Sequence, residues 1–177
     1  MDILKPDFDL FKKKYKLGKR QILYTSLAAD VHTPVSSLMK LEKENYTFLF
    51  ESVEKGSQKG RYSVIGLKPD LIWECRNNNC KVTDKTLKKN YYENNISPLN
   101  SLRNLIKSNK LKIPNQIPSI SSGLFGYMGY EMIQHFEKVI LSKKNNLGLP
   151  DSIFIRPSMT LVFDNVNDKL FITRTVS

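Results

Sequence analysis

Residues 46–51 and 61–65 constrain this chain more than any other part of it. Tyr46, Phe48 and Phe50 alternate with Thr47, Leu49 and Glu51, and Tyr62 and Val64 alternate with Arg61, Ser63 and Ile65. That two-residue period belongs to half-buried strands. Between them, Val53 to Gly60 is rich in Gly, Ser and Lys and cannot pack a core. The segment reads as two strands flanking a loop, with Ser52 and Arg61 at the loop's two mouths. A hydroxyl and a guanidinium so placed can take the ammonium and carboxylate of an amino acid against an aromatic wall. Such an arrangement recognises a ligand; it performs no chemistry.

The rest of the chain continues in the same mixed style. Residues 1–20 are polar and basic with a weak helical pattern in Phe8, Leu10, Phe11 and Tyr15, which predicts a surface arm before a short strand at Ile22-Leu23-Tyr24. Thr33-Pro34 and Ser97-Pro98 both place a capping hydroxyl before a proline preset for the first helical turn. Val35, Leu38, Met39 and Leu41 then predict a helix over 34–43, and Leu99, Leu102 and Ile106 predict another over 98–108. Residues 71–75 and 80–82 read as a hairpin turning at asparagines, residues 84–95 as a polar loop, and 112–122 as an extended connector. A glycine-rich strand follows at 123–130, then a short helix near 130–137, a Lys/Asn loop at 142–147, and a hairpin of 159–164 with 170–175. Strands interrupted by helices, without a βαβ rhythm, predict an α+β fold on antiparallel sheet.

At 177 residues and 40% hydrophobic content the chain is long enough to enclose a core, so the expectation is one globular domain over 1–177. No apolar run approaches the length needed to span a bilayer, and the first residues lack the pattern of a signal peptide; a cytoplasmic, soluble protein is expected. The net charge of +11 raises the possibility of nucleic acid as a partner. The lysines, however, lie in short scattered runs among asparagines and acids, and none alternates with aromatics as a base-stacking platform would. Cys75 and Cys80 bracket the asparagine turn, and His32 and His135 are isolated from them and from each other. That spacing does not meet a zinc pattern, and two free thiols are expected.

Gly123, Gly126 and Gly129 recur every three residues with Phe125 and Tyr127 between them. Inside a strand this spacing signals close backbone approach more than a phosphate cradle, which needs its glycines at the start of a helix. Nothing brings Glu51 and Glu131 together as an acid/base pair, and His135 has no nucleophile near it in sequence. The chain's own residues therefore supply no catalytic group.

Taken in order, several of these segments carry a family resemblance. They are Ala29-Asp30 with Thr33-Pro34-Val35-Ser36, the strand ending in Glu51-Ser52, Gly60-Arg61-Tyr62-Ser63-Val64-Ile65-Gly66, and Gly123 to Glu131. Leu149-Pro150-Asp151, Val162-Phe163-Asp164-Asn165 and Lys169-Leu170 complete the set. Over residues 20–175 the chain resembles the amino-terminal part of anthranilate synthase component I. The resemblance implies a large β-sandwich with helices outside, to which a carboxy-terminal region contributes the other half. This chain is then expected to be an antiparallel β-sandwich half with peripheral helices and some uncovered apolar strand faces.

The family's enzyme converts chorismate and glutamine-derived ammonia to anthranilate and pyruvate in tryptophan biosynthesis, with a glutamine amidotransferase partner, component II. It holds chorismate and Mg²⁺ through motifs of the carboxy-terminal region, none of which occurs before Ser177, so no catalytic or metal-binding residue is expected in 1–177. The resemblance assigns Ser52 to the head group of the feedback inhibitor L-tryptophan and Arg61 to its carboxylate, with Leu49, Phe50, Glu51, Tyr62 and Ser63 shaping the pocket. It implies a regulatory and structural role. The alternatives are the related synthase of 4-amino-4-deoxychorismate in folate biosynthesis and a free-standing amino-acid-binding module.

Overall fold

The computed structural model describes residues 4–41, 45–53, 59–139 and 147–176, with the backbone alone for Val53 and Lys59. Among the described residues the strands hydrogen-bond in the order β1-β8-β7-β3-β4-β5, with β2 added on β3 and β6 on β7. These strands are β1 (Gln21–Ala28), β2 (Phe48–Val53), β3 (Lys59–Arg76), β4 (Asn79–Asp84), β5 (Lys89–Glu93), β6 (Phe125–Met128), β7 (Ser152–Asp164) and β8 (Lys169–Val176). The helices are α1 (Phe8–Lys16), α2 (Pro34–Leu41) and α3 (Pro98–Ser108). The strand pairings resolved residue by residue are antiparallel, as expected of the α+β class.

The residues cluster into two compact units. The first comprises Met1–Pro69, Leu111–Gly123 and Pro157–Ser177. In it β8 lies between β1 and β7, running Gln21↔Val176 to Ala28↔Lys169 on one side and Met159↔Arg174 to Asp164↔Lys169 on the other. Its core is Ile65, Leu67, Phe163 and Leu170, with Leu38 and Leu41 of α2 and Leu49 of β2 packed against it. Helix α2 is capped as its sequence predicts: the Ser36 amide donates to Thr33 Oγ1 and the Thr33 amide to Ser36 Oγ, both at 3.1 Å. Helix α1 buries none of its residues, in keeping with a surface arm.

The second unit comprises Asp70–Lys110 and Leu124–Arg156. Its core is Leu71, Trp73, Cys75, Cys80, Val82, Leu102, Leu105 and Met132. The buried Trp73 indole donates to Ser101 Oγ of α3 at 2.6 Å, which satisfies a polar group that its burial would otherwise leave unpaired. Ser97 caps α3, its hydroxyl accepting from the Asn100 amide. A Cβ on Gly126 would overlap the Ile153 carbonyl across the β6–β7 pair, so this glycine serves close backbone approach, as its place in a strand suggested.

Several boundaries differ from the sequence reading, each for an identifiable reason. Residues 61–65 and 71–75 belong to one strand, β3, because Lys68 takes a positive φ of 49° and lets the chain pass through Lys68-Pro69 without leaving the sheet. The polar stretch 84–95, expected as a loop, contains β5. Four of its five residues are exposed, so it carries no apolar alternation and is specified by pairing with β4 alone. Strand β7 begins at Ser152 and not at Met159, running through Pro157. Residues 130–135 are 3-10 helix, with Met132 buried. The predicted end of α2 at 42–43 and most of the 142–147 loop lie outside the described residues.

Candidate functional site

The β2–β3 pair is in register from Phe48↔Gly66 through Leu49↔Ile65 and Phe50↔Val64 to Glu51↔Ser63, and shifts between Glu51 and Val53. That shift is a local irregularity of the bulge type, a device that re-aims side chains at a strand end. Ser52 sits in it, exposed, beside Gly60. A Cβ built on Gly60 would overlap the Ser52 hydroxyl, its Cβ and its carbonyl oxygen, so glycine is what lets the two chains meet there. Of the two mouths read from the sequence, Ser52 thus lies against the residue that precedes Arg61 in the chain. The loop centre, 54–58, lies outside the described residues.

Arg61 is anchored but open. Its guanidinium donates to Asp164 Oδ2 at 3.5 Å and lies 4.9 Å from the Tyr62 ring centroid, yet its side chain remains 56% exposed against 4% for Asp164. One side of the guanidinium is therefore held and another faces water. Asp164 itself is organised by the turn that follows it: its Oδ1 accepts from the amides of Val166 and Asn167, and its Oδ2 from the Asn167 side chain at 2.9 Å. Burial works to raise the Asp164 carboxyl, but the hydrogen bonds from the Asn167 side chain and the two amides, with Arg61 beside it, hold it below the ordinary carboxylate range.

Asn165 ties this turn to the mouth. Its side-chain amide donates to the Gly60 carbonyl at 2.8 Å and to Ser63 Oγ at 3.4 Å, and its backbone amide donates to the Arg61 carbonyl at 2.8 Å. Ser63, 2% exposed, is consumed by this contact. Sequence reading placed Asp164 and Asn165 only as a strand end and turn. The run Asp164-Asn165-Val166-Asn167 does carry the mark of a side-chain-closed turn, but nothing local says that its partners are about a hundred residues upstream.

The seven side chains expected to form the pocket do not share one face. By register Leu49, Glu51 and Ser63 lie on one side of the β2–β3 pair, where Leu49 packs on the unit's core and Glu51 is exposed. Phe50 points to the other side, its ring 4.8 Å from that of Phe48, and Tyr62 alternates to the same side. The arrangement that remains close together is polar: Ser52, Gly60, Arg61, Ser63 and the 164–167 turn. It can offer a hydroxyl, a cation and nearby backbone groups to a small zwitterion; it holds no nucleophile with a base.

Elsewhere, a depression of about 610 Å³ over the β4–β5 turn is lined by Asp84, Leu87, Lys89, Asn90 and Tyr91. Asp84 there already accepts from the Leu87 amide. A charged group that sequence reading missed is Arg156, 5% exposed, whose Nε donates to Asp70 at 2.6 Å and whose Nη1 donates to Asn109. An arginine directly following the apolar run Ile153-Phe154-Ile155 is the available signal. No group of three or more metal-ligating side chains occurs among the described residues, and no described helix is long and apolar enough to cross a membrane.

No family model matches the chain. Among curated proteins it is similar to anthranilate synthase component 1 of Cereibacter sphaeroides, 40% identical over 166 residues, covering 92% of this chain and 33% of that protein. It is similar also to anthranilate synthase component 1 of Acetivibrio thermocellus, 32% identical over 145 residues, covering 81% of this chain and 29% of that protein. The chain thus spans about a third of the length of the curated relatives it matches. Among solved structures, that of anthranilate synthase component I from Streptococcus pneumoniae TIGR4 matches its fold with a TM-score of 0.51 and 23% identity, over 81% of this chain and 29% of that one.

Proposed function

Since the chain belongs with the anthranilate synthase component 1 proteins across the third of their length that it spans, we propose that it is the amino-terminal regulatory and structural portion of such a synthase. In this reading the whole enzyme converts chorismate and ammonia to anthranilate and pyruvate. Ammonia comes from a glutamine amidotransferase partner, and Mg²⁺ and chorismate are held by residues beyond this chain. The part played here is to bind the end product, L-tryptophan. Ser52 hydrogen-bonds its ammonium group and Arg61 meets its carboxylate. Feedback follows if tryptophan binds one conformation of the enzyme better than the other, because equal affinity for both shifts nothing.

The observation that carries this reading is a half-exposed Arg61 directly after Gly60, the residue against which Ser52 lies at the strand end. The guanidinium is fixed by Asp164 and still has an open side. A carboxylate arriving there gains a charge-assisted hydrogen bond without having to order the arginine first. Calorimetric titration of the chain with L-tryptophan is expected to give saturable heat, with a rise in melting temperature, and Ser52→Ala is expected to weaken binding at least about tenfold, the equivalent of one charge-assisted hydrogen bond. Absence of both heat and melting shift at millimolar tryptophan would remove the head-group contacts from this chain.

A further inference from the structure

Cys75 and Cys80 take no part in the proposed ligand site, yet they are placed together by the hairpin that carries them. β3 and β4 are joined by Asn77 and Asn78, both with positive φ, 48° and 68°, which is the two-residue turn of type I′. In such a hairpin the pair closing the turn, here Arg76↔Asn79, is the hydrogen-bonded one, so the next pair, Cys75↔Cys80, is not. Non-hydrogen-bonded partners have Cα atoms about 4.5 Å apart with side chains close together. Disulfides span Cα separations of roughly 4.4–6.8 Å. Both thiols are free, both are buried, and they occupy facing positions of the pair.

We propose that Cys75 and Cys80 form a reversible dithiol–disulfide pair that staples the tip of the β3–β4 hairpin, closed by exchange with a small-molecule disulfide. One protein thiolate attacks the small disulfide, breaking its S–S bond, releasing one small thiolate and leaving a mixed disulfide. The second cysteine, as thiolate, displaces the remaining small thiolate and forms the Cys75–Cys80 bond. Two protein thiols are oxidised, one small disulfide is reduced to two thiols, and the two protein protons end on the released sulfurs.

The surroundings decide how the exchange proceeds. The hydrogen bond with Cys80 and burial both push the Cys75 thiol up. Cys80 is the readier thiolate, since the Cys75 hydrogen bond lowers it, against burial and the charge of Glu93, its neighbour across β4–β5. Entry is from the turn, where Arg76, Asn77, Asn78 and Asn79 are all exposed, so exchange waits on opening of the tip. The bond would close within the allowed Cα range beside an exposed turn, through which a small thiol can re-enter to reduce it. It would also fix an anchor already present: the Asp151 amide donates to the Cys75 carbonyl at 2.9 Å, and the Asp151 carboxylate accepts from the Asn77 amide at 2.6 Å.

Intact-mass measurement of the folded chain after equilibration with glutathione disulfide, followed by acid quench and alkylation, tests this. The expected product has lost about 2 Da, takes up no alkylating agent and regains both thiols in dithiothreitol. A folded chain that keeps both thiols, or holds only glutathione adducts, overturns the proposal. The same incubation in urea separates causes, since closure there but not in the folded chain shows that the native strand geometry forbids the bond. Cys75→Ser is expected to stop at the glutathione adduct of Cys80, the readier thiolate, which reports access to the tip without a resolving thiol.

Discussion

The mouth of the β2–β3 pair depends on one missing side chain. Gly60 accommodates Ser52 where any Cβ would collide with three of its atoms, two of them bonded tightly to the strand. Gly60→Ala is therefore expected to cost about 1–3 kcal/mol by overpacking, measured by urea unfolding, and to displace the Ser52 hydroxyl; unchanged stability would show that the strands part freely here. Asp164 supplies a second test. Its folded carboxyl lies below its unfolded value, so it contributes stability at neutral pH that is lost as pH falls through the folded pKa, below the usual carboxylate value of about 3.9. Asp164→Asn is expected to flatten the acid limb of a stability-against-pH curve, and an unaltered limb would contradict the assigned hydrogen bonds. At this scale the sequence exposes Ser52, Gly60 and Arg61, since all are local to one loop. Asn165 stays hidden, because its role exists only after β3 and β7 have come together.

Secondary-structure elements were legible to the extent that their cues were local. Thr33-Pro34 and Ser97-Pro98 marked the starts of α2 and α3, and the asparagine pair marked the turn between β3 and β4. Strand β5 escaped because exposed, polar strands have no periodicity to read, and β3 seemed broken because Lys68-Pro69 looks like punctuation. Alternation alone sets Leu49 and Phe50 on opposite faces of β2, whereas which residues of β3 lie beside each of them needs the register, Leu49 with Ile65 and Phe50 with Val64. Beside the apolar contacts of Leu102 and Leu105, one buried hydrogen bond joins α3 to β3, from Trp73 to Ser101, both fully buried. Ser101→Ala leaves the indole N–H unsatisfied and is expected to cost about 1–3 kcal/mol, read from denaturant midpoints at constant m-value; a cost near zero would mean that Trp73 finds another acceptor.

Over the whole chain, two cores are built on a backbone they share, since β3 and β7 each begin in one unit and end in the other. The chain thus passes from one unit to the other within each of these strands. Trp73, the single tryptophan, reports on the second unit alone, whereas far-ultraviolet dichroism reports on both. The two signals are expected to change together in a thermal or urea transition, and separated midpoints would show that the units melt independently.

Strand β5 ends the hydrogen-bonded order, so one row of its backbone donors and acceptors is not spent on a further strand of that order. Its flank carries Lys85, Lys88 and Lys89, all exposed, on a chain whose net charge is +11. A second copy approaching to extend the sheet meets like charge before it meets a hydrogen-bonding partner. The reach of that repulsion is set by ionic strength: it acts over about 8 Å at physiological salt and shrinks to about 3 Å at 1 M, leaving Tyr91 and Tyr92 to face another such edge with little to keep it away.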